Sequence, residues 1–159
     1  MKTESKHPLE LIEKILTKQV EFLSREEADF LLEHKEICTR KLLPILALEV
    51  TQVKDGEIWN EGKLLGCLKL LGGFEENRAF DWMIQLHQFP DVLKSEGNSF
   101  FVILFWADLL VATMESEWHK LKPFIEDPLT DLDIREACVE ALVILVAKGR
   151  LDRSLLVEY

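Results

Sequence analysis

The chain has 159 residues, 48% of them hydrophobic, with 19 basic against 29 acidic side chains and a formal net charge of -10. That length fits a single domain over residues 1–159 that buries about two thirds of its unfolded surface. The negative excess argues against nucleic acid as a partner, because phosphate backbones are held by clustered Lys and Arg. Up to Lys41 the charges nearly balance, and the remainder carries -9.

Met1 to His7 is charged and polar with no apolar run behind it, so the chain reads as lacking a signal peptide. The most apolar stretch, Phe100 to Ala112, falls short of the roughly 20 residues a membrane span needs and contains Asp108. No membrane partner is therefore expected. Cys38, Cys67 and Cys138 are odd in number and lack CxxC spacing, which reads as buried free thiols of a cytoplasmic protein rather than a disulfide or metal framework.

In chain order, Pro8 suits a first helical position, and Leu9, Ile12, Leu16, Val20 and Leu23 follow at steps of three and four as one amphipathic stripe. Ser24 with Glu27 matches a capping box that opens a second helix through Leu32. The helical pattern resumes from Ile37 to Val50, where Pro44 removes a backbone hydrogen bond and predicts a kink or a later start. After the turn at Lys54-Asp55-Gly56, a helix is expected over Ile58 to Leu71 with Leu64, Leu65, Leu68 and Leu71 inward. Gly72-Gly73 should stop it in a left-handed cap.

Glu76 and Asn77 open the next helix, with Ala79, Trp82, Met83 and Leu86 as its buried stripe and Phe89-Pro90 as its end. Asp91 to Glu96 reads as a short helical turn, and Gly97-Asn98-Ser99 as a break before the apolar helix Phe100 to Met114. Apolar nearly all round, that helix is expected at the centre of the fold. A shorter helix from Glu117 to Glu126 turns Trp118, Leu121, Phe124 and Ile125 inward, with Pro123 kinking it. Asp131 or Asp133 caps a long helix that stops at Lys148-Gly149, and Asp152 begins another that is still running at Tyr159, so that the chain either ends on a short helix or has been cut. No segment alternates in a way that asks for a strand.

Pro90 and Pro128 lie 38 residues apart, and Gly73 and Gly149 lie 76 apart, twice that. A repeat near 40 residues falls in the HEAT and armadillo range. The fold expected is all-α, a right-handed α-α superhelix of helical hairpins, each burying its apolar face against the next.

The run LKPFIEDPLTDLDIREACVEALVILVAKGRLDRS from Leu121 to Ser154 resembles the signature region of an uncharacterised bacterial family, domain of unknown function 1186. LLGGFEENRAF from Leu70 to Phe80 is similar to the same family's inter-helix turn, and Ser24 to Ala28 with Lys35 to Ile37 looks like its N-terminal hairpin. The resemblance implies a HEAT-like stack and carries no established activity. Some members continue into a cysteine-rich, metal-binding tail, and such cysteines are absent here.

Among candidate site residues, Asp108 stands amid Phe105, Trp106, Leu109 and Leu110, where a carboxylate must be paired or raised in pKa. A structural role for it is favoured over catalysis, since no second acid, His or nucleophile lies within one helical turn. Arg78 and Arg135 fall in first turns of helices, where a cation opposes the helix dipole. Both are expected to bridge to a carboxylate of another repeat, such as Asp108. Trp59, Trp82, Trp106 and Trp118 recur about once per hairpin, read mainly as core and otherwise as interface anchors. His7, His34, His87 and His119 are scattered without HExxH spacing, and no GxSxG, P-loop or GxGxxG occurs.

The expected function is a non-catalytic protein-protein interaction scaffold with an acidic surface, engaging a basic or amphipathic segment of another protein. No cofactor or metal is called for. The alternatives are a homo-oligomeric structural protein and an enzyme using Asp108 as a buried acid.

Overall fold

In the computed structural model the described residues are 7–18, 23–93 and 99–157, and among them every regular element is helical. Val20, Gly97, Asn98 and Tyr159 lie outside the described residues. The chain divides into two compact units, Met1–Phe74 and Glu75–Tyr159.

The first unit holds α1 (Pro8–Lys18), α2 (Arg25–Glu33), α3 (Lys35–Asp55) and α4 (Glu61–Gly73). The capping box forms: the Ser24 side chain accepts from the Glu27 N–H, and the Glu27 carboxylate accepts from the Ser24 N–H. These bonds satisfy two amides that would otherwise lack partners at the start of α2. Helix α3 runs through Pro44 without interruption. Pro44 is exposed, so the carbonyl it leaves unbonded faces water, where the loss costs least. The helix ends at Gly56, whose φ of 68° lets Glu57 N–H reach back to the Gln52 carbonyl at 2.8 Å. That left-handed closure is one glycine takes without strain.

Helix α4 differs from its expected bounds. It starts at Glu61, because Asn60 caps it by accepting from Lys63 N–H at 2.9 Å, and Ile58 stands almost fully exposed outside it. Gly72 and Gly73 remain helical, and the left-handed residue after them is Glu75, at φ 52°. The helix therefore ends at the glycine pair as expected, but without the expected left-handed glycine cap. Leu64, Cys67, Leu68 and Leu71 are buried where α4 meets α3 and α1. At Gly66 a Cβ would stand 2.7 Å from Leu16 Cδ2, so glycine lets α1 approach α4 closely.

The second unit opens with a 3-10 turn, Asn77–Ala79, and continues as α5 (Phe80–Leu86), α6 (Pro90–Leu93) and α7 (Ser99–Thr113). A second 3-10 turn, Trp118–Leu121, leads into α8 (Lys122–Glu126), then α9 (Leu132–Ala147) and a final 3-10 turn, Arg153–Val157. Pro90 begins α6 rather than ending its predecessor, a position where its missing N–H costs nothing. Pro123 likewise sits in the first turn of α8 and marks the change from 3-10 to α geometry. Asp131 is the cap of α9, accepting from Asp133 N–H at 3.1 Å. Gly149, at φ 69°, closes α9 as expected, with Arg150 N–H on the Leu145 carbonyl at 2.9 Å. Beyond Asp152 the described chain forms a short 3-10 turn in place of the expected α-helix. Helix α7 packs on α9, α5 and α6, which makes it the centre of this unit.

Candidate functional site

Four helices of the second unit converge on one imidazole. His87 follows the last turn of α5 and is only 4% exposed. Trp106 of α7 donates its indole N–H to His87 Nε2 at 2.8 Å, and Cys138 Sγ of α9 lies 3.9 Å from His87 Nδ1. Phe124 of α8 meets the imidazole edge to face, with centroids 4.5 Å apart. A buried Cys beside a His resembles a nucleophile and its base, so the protonation states decide what the pair can do.

An indole nitrogen only donates, so Nε2 must carry the lone pair and the neutral ring holds its proton on Nδ1, toward the sulfur. Burial lowers the His87 pKa to about 3, which keeps the ring neutral at physiological pH. Burial also pushes the Cys138 thiol up to about 12. A base whose free nitrogen is occupied by tryptophan, facing a thiol that stays protonated, generates no thiolate. The cluster is a satisfied polar core.

A cleft of about 370 Å³ lies in the same unit, lined by Glu75, Asn77, Thr113, Glu115, Lys148 and Arg150 among others. The Arg150 guanidinium donates to the carbonyls of Val111 at 3.1 Å, of Glu115 at 2.9 Å and of Met114. These groups sit at the C-terminal end of α7, where carbonyls lack helical partners and the dipole favours a cation. Arg150 is thereby committed to ending a helix and is not an open anion clamp. Asn77 Nδ2 donates to Glu115 Oε2 at 2.9 Å across the same cleft.

The family of proteins of unknown function DUF1186 matches residues 8–159, nearly the whole chain. The chain belongs to the DUF1186 family. No curated protein and no solved structure matches it.

The DUF1186 chain places the residues singled out from sequence as follows. Asp108 is exposed on α7, because the buried positions Trp106, Ala107, Leu110 and Val111 occupy the opposite face. The expectation of a desolvated Asp108 is corrected accordingly. Among the described residues the buried carboxylates are Glu49 and Glu76; Glu49 accepts from Asn60 N–H at 2.6 Å and so fixes the cap of α4. Burial first, then the Glu49 charge, push the nearby Cys67 up to about 12, with Lys63 opposing.

Neither arginine bridges to Asp108. Arg78 pairs in two-pronged fashion with Glu76, two residues before it, at 2.7 and 3.0 Å. Arg135 donates to the carbonyls of Asp127 at 2.9 Å and Thr130 at 3.2 Å, tying down the turn before α9. The expected bridges between repeats are thus replaced by local contacts, which serve a first-turn cation without a distant partner. Of the tryptophans only Trp106 is core, whereas Trp59, Trp82 and Trp118 are half-buried.

From sequence Cys138 reads as a buried free thiol and His87 as one of four scattered histidines, with nothing joining them, and Glu49 and Arg150 are passed over. Glu49 alone had a local signal, since it falls on the stripe Leu42, Leu46, Val50 and Val53. Among the described residues no group of three or more His, Cys, Asp or Glu is placed to hold a metal ion. No described helix is long and apolar enough to cross a membrane.

Proposed function

We propose that this chain is a non-catalytic helical scaffold of the HEAT or armadillo type whose acidic surface binds another protein. The observation that carries the reading is the contrast between interior and surface in the second unit. Its Cys-His pair is sealed and committed to packing, whereas its well-packed helices turn large apolar side chains and carboxylates outward. Residues 75–159 hold 16 acidic against eight basic side chains. The enzyme alternative built on Asp108 loses its premise, since that carboxylate lies in water. Free, buried Cys38, Cys67 and Cys138 fit a reducing, cytoplasmic setting.

Chemical cross-linking in the source cell followed by mass spectrometry tests the reading. The expected result is a reproducible protein partner whose binding weakens as salt is raised, because exposed charges are screened. A small molecule that copurifies and is turned over, with no protein partner, would contradict it. Light scattering at several concentrations separates partner binding from self-association.

A further inference from the structure

We infer that the outer face of α9 is the docking site of the scaffold, and that its occupant is an amphipathic helical segment of another protein with Lys and Arg flanking an apolar stripe. The inference rests on the scaffold reading and places it on named residues. Along α9 the buried positions Ile134, Ala137, Cys138, Ala141, Leu142 and Leu145 face the core. On the opposite side Leu132 is 62% and Val143 46% exposed, with half-buried Val139 between them. At 3.6 residues per turn these three share one seam about 16 Å long.

Glu136 and Glu140 are exposed beside that seam, one helical turn apart, and neither makes an ion pair among the described residues. Like charges at that spacing repel, so the face carries an uncompensated acidic flank. The one basic residue within α9, Arg135, is turned to the carbonyls of Asp127 and Thr130. Leu129, 91% exposed just before the helix, extends the apolar surface.

The chemistry selects the occupant. An apolar stripe with an acidic flank suits a helix whose own apolar face is edged by cations, a recurring mode of helix recognition. A second copy of this chain would bring Glu136 and Glu140 against their equals, and charge complementarity argues against it.

The test titrates the full-length chain, isotopically labelled for NMR, with a synthetic helical Leu/Lys peptide. A scrambled Leu/Lys peptide and a patterned Leu/Glu peptide serve as controls. The expected result is a shift of the Leu132, Glu136, Val139 and Val143 resonances by the patterned Leu/Lys peptide alone. Glu136→Lys with Glu140→Lys should then weaken binding about tenfold, as expected when two exposed ion pairs are reversed. Reversal of Glu33 and Glu36, exposed on the first unit, should leave binding unchanged.

Equal binding of the scrambled peptide, or equal loss on reversing Glu33 and Glu36, would reduce the effect to bulk charge and overturn the site. Concentration-dependent α9 shifts without peptide would replace the proposed occupant by a second copy. If α9 stays silent while cross-linking returns a partner, the site fails and the scaffold stands; if both fail, the scaffold fails with it. The shift map uses the unaltered chain, so the test survives a variant that does not fold.

Discussion

Trp106→Ala is expected to destabilise the second unit by about 3–5 kcal/mol, the usual cost of removing a large aromatic side chain from a packed core. Trp106 is 1% exposed and is the largest fully buried side chain of the chain's described residues. Its loss also leaves His87 Nε2 without a donor in a place water does not reach, which adds to the cavity term. Against a typical domain stability of about 5–15 kcal/mol, this change alone brings the unit near its unfolding threshold. Trp106→Phe separates the two contributions, because it keeps most of the bulk and removes the indole N–H. Its cost should fall to about 1–3 kcal/mol, the range for an orphaned buried acceptor. Urea denaturation followed by circular dichroism measures both, and a loss below about 1 kcal/mol for the alanine variant would show that Trp106 does not anchor this core.

Acid should unfold the second unit through His87. The ordinary pKa of about 6.5 applies to the unfolded chain, whereas burial holds the folded value at about 3. Above pH 6.5 neither state binds the proton and stability is unaffected by this group. Between roughly pH 6.5 and 3 the unfolded chain takes up a proton that the folded chain refuses. Stability therefore falls by up to about 1.4 kcal/mol for each unit of pH, about 4–5 kcal/mol over the window, and levels below it. Glu117 and Asp152, whose carboxyls are held low by backbone N–H donation and by Ser154 respectively, lose stability in the same direction at the acid end. His87→Gln isolates the imidazole, since its amide oxygen can still accept from Trp106 without titrating. The variant should show a flatter stability profile between pH 6.5 and 4 than the parent chain, and parallel profiles would remove His87 from the account.

What was legible in the sequence was local. Ser24 with Glu27, Asp131 before α9 and Gly149 after it each act on amides or carbonyls within a few residues, so the chain states them directly. Gly72-Gly73 marked the end of α4 but misled about its cap, because glycine permits a left-handed stop without requiring one, and the left-handed residue is Glu75. Asp108 misled for a related reason. A helix that is apolar nearly all round gives no phase, so nothing local told that its face lies opposite the core. Glu49 was recoverable from its place on a well-phased stripe, yet an acid among leucines attracts notice only where the run is most apolar.

The His87 cluster could not be read at all. Its members lie 19 and 51 residues apart in sequence, and only the packing of α7 and α9 brings them together. The same holds for Arg150, whose carbonyl partners lie 35 to 39 residues earlier. Long-range polar contacts of this kind carry no spacing rule, which is why recognising the family left the interior chemistry unread.

The proposed scaffold role requires that the Cys138-His87 pair be sealed in the core. Alkylation of Cys138 by iodoacetamide in the native chain at neutral pH, followed by mass spectrometry, tests it most directly. No modification is expected until the protein is unfolded, because the thiol is buried and pushed up to about 12. Rapid stoichiometric labelling of Cys138 in the folded chain would reveal an accessible thiolate beside His87, and would contradict it.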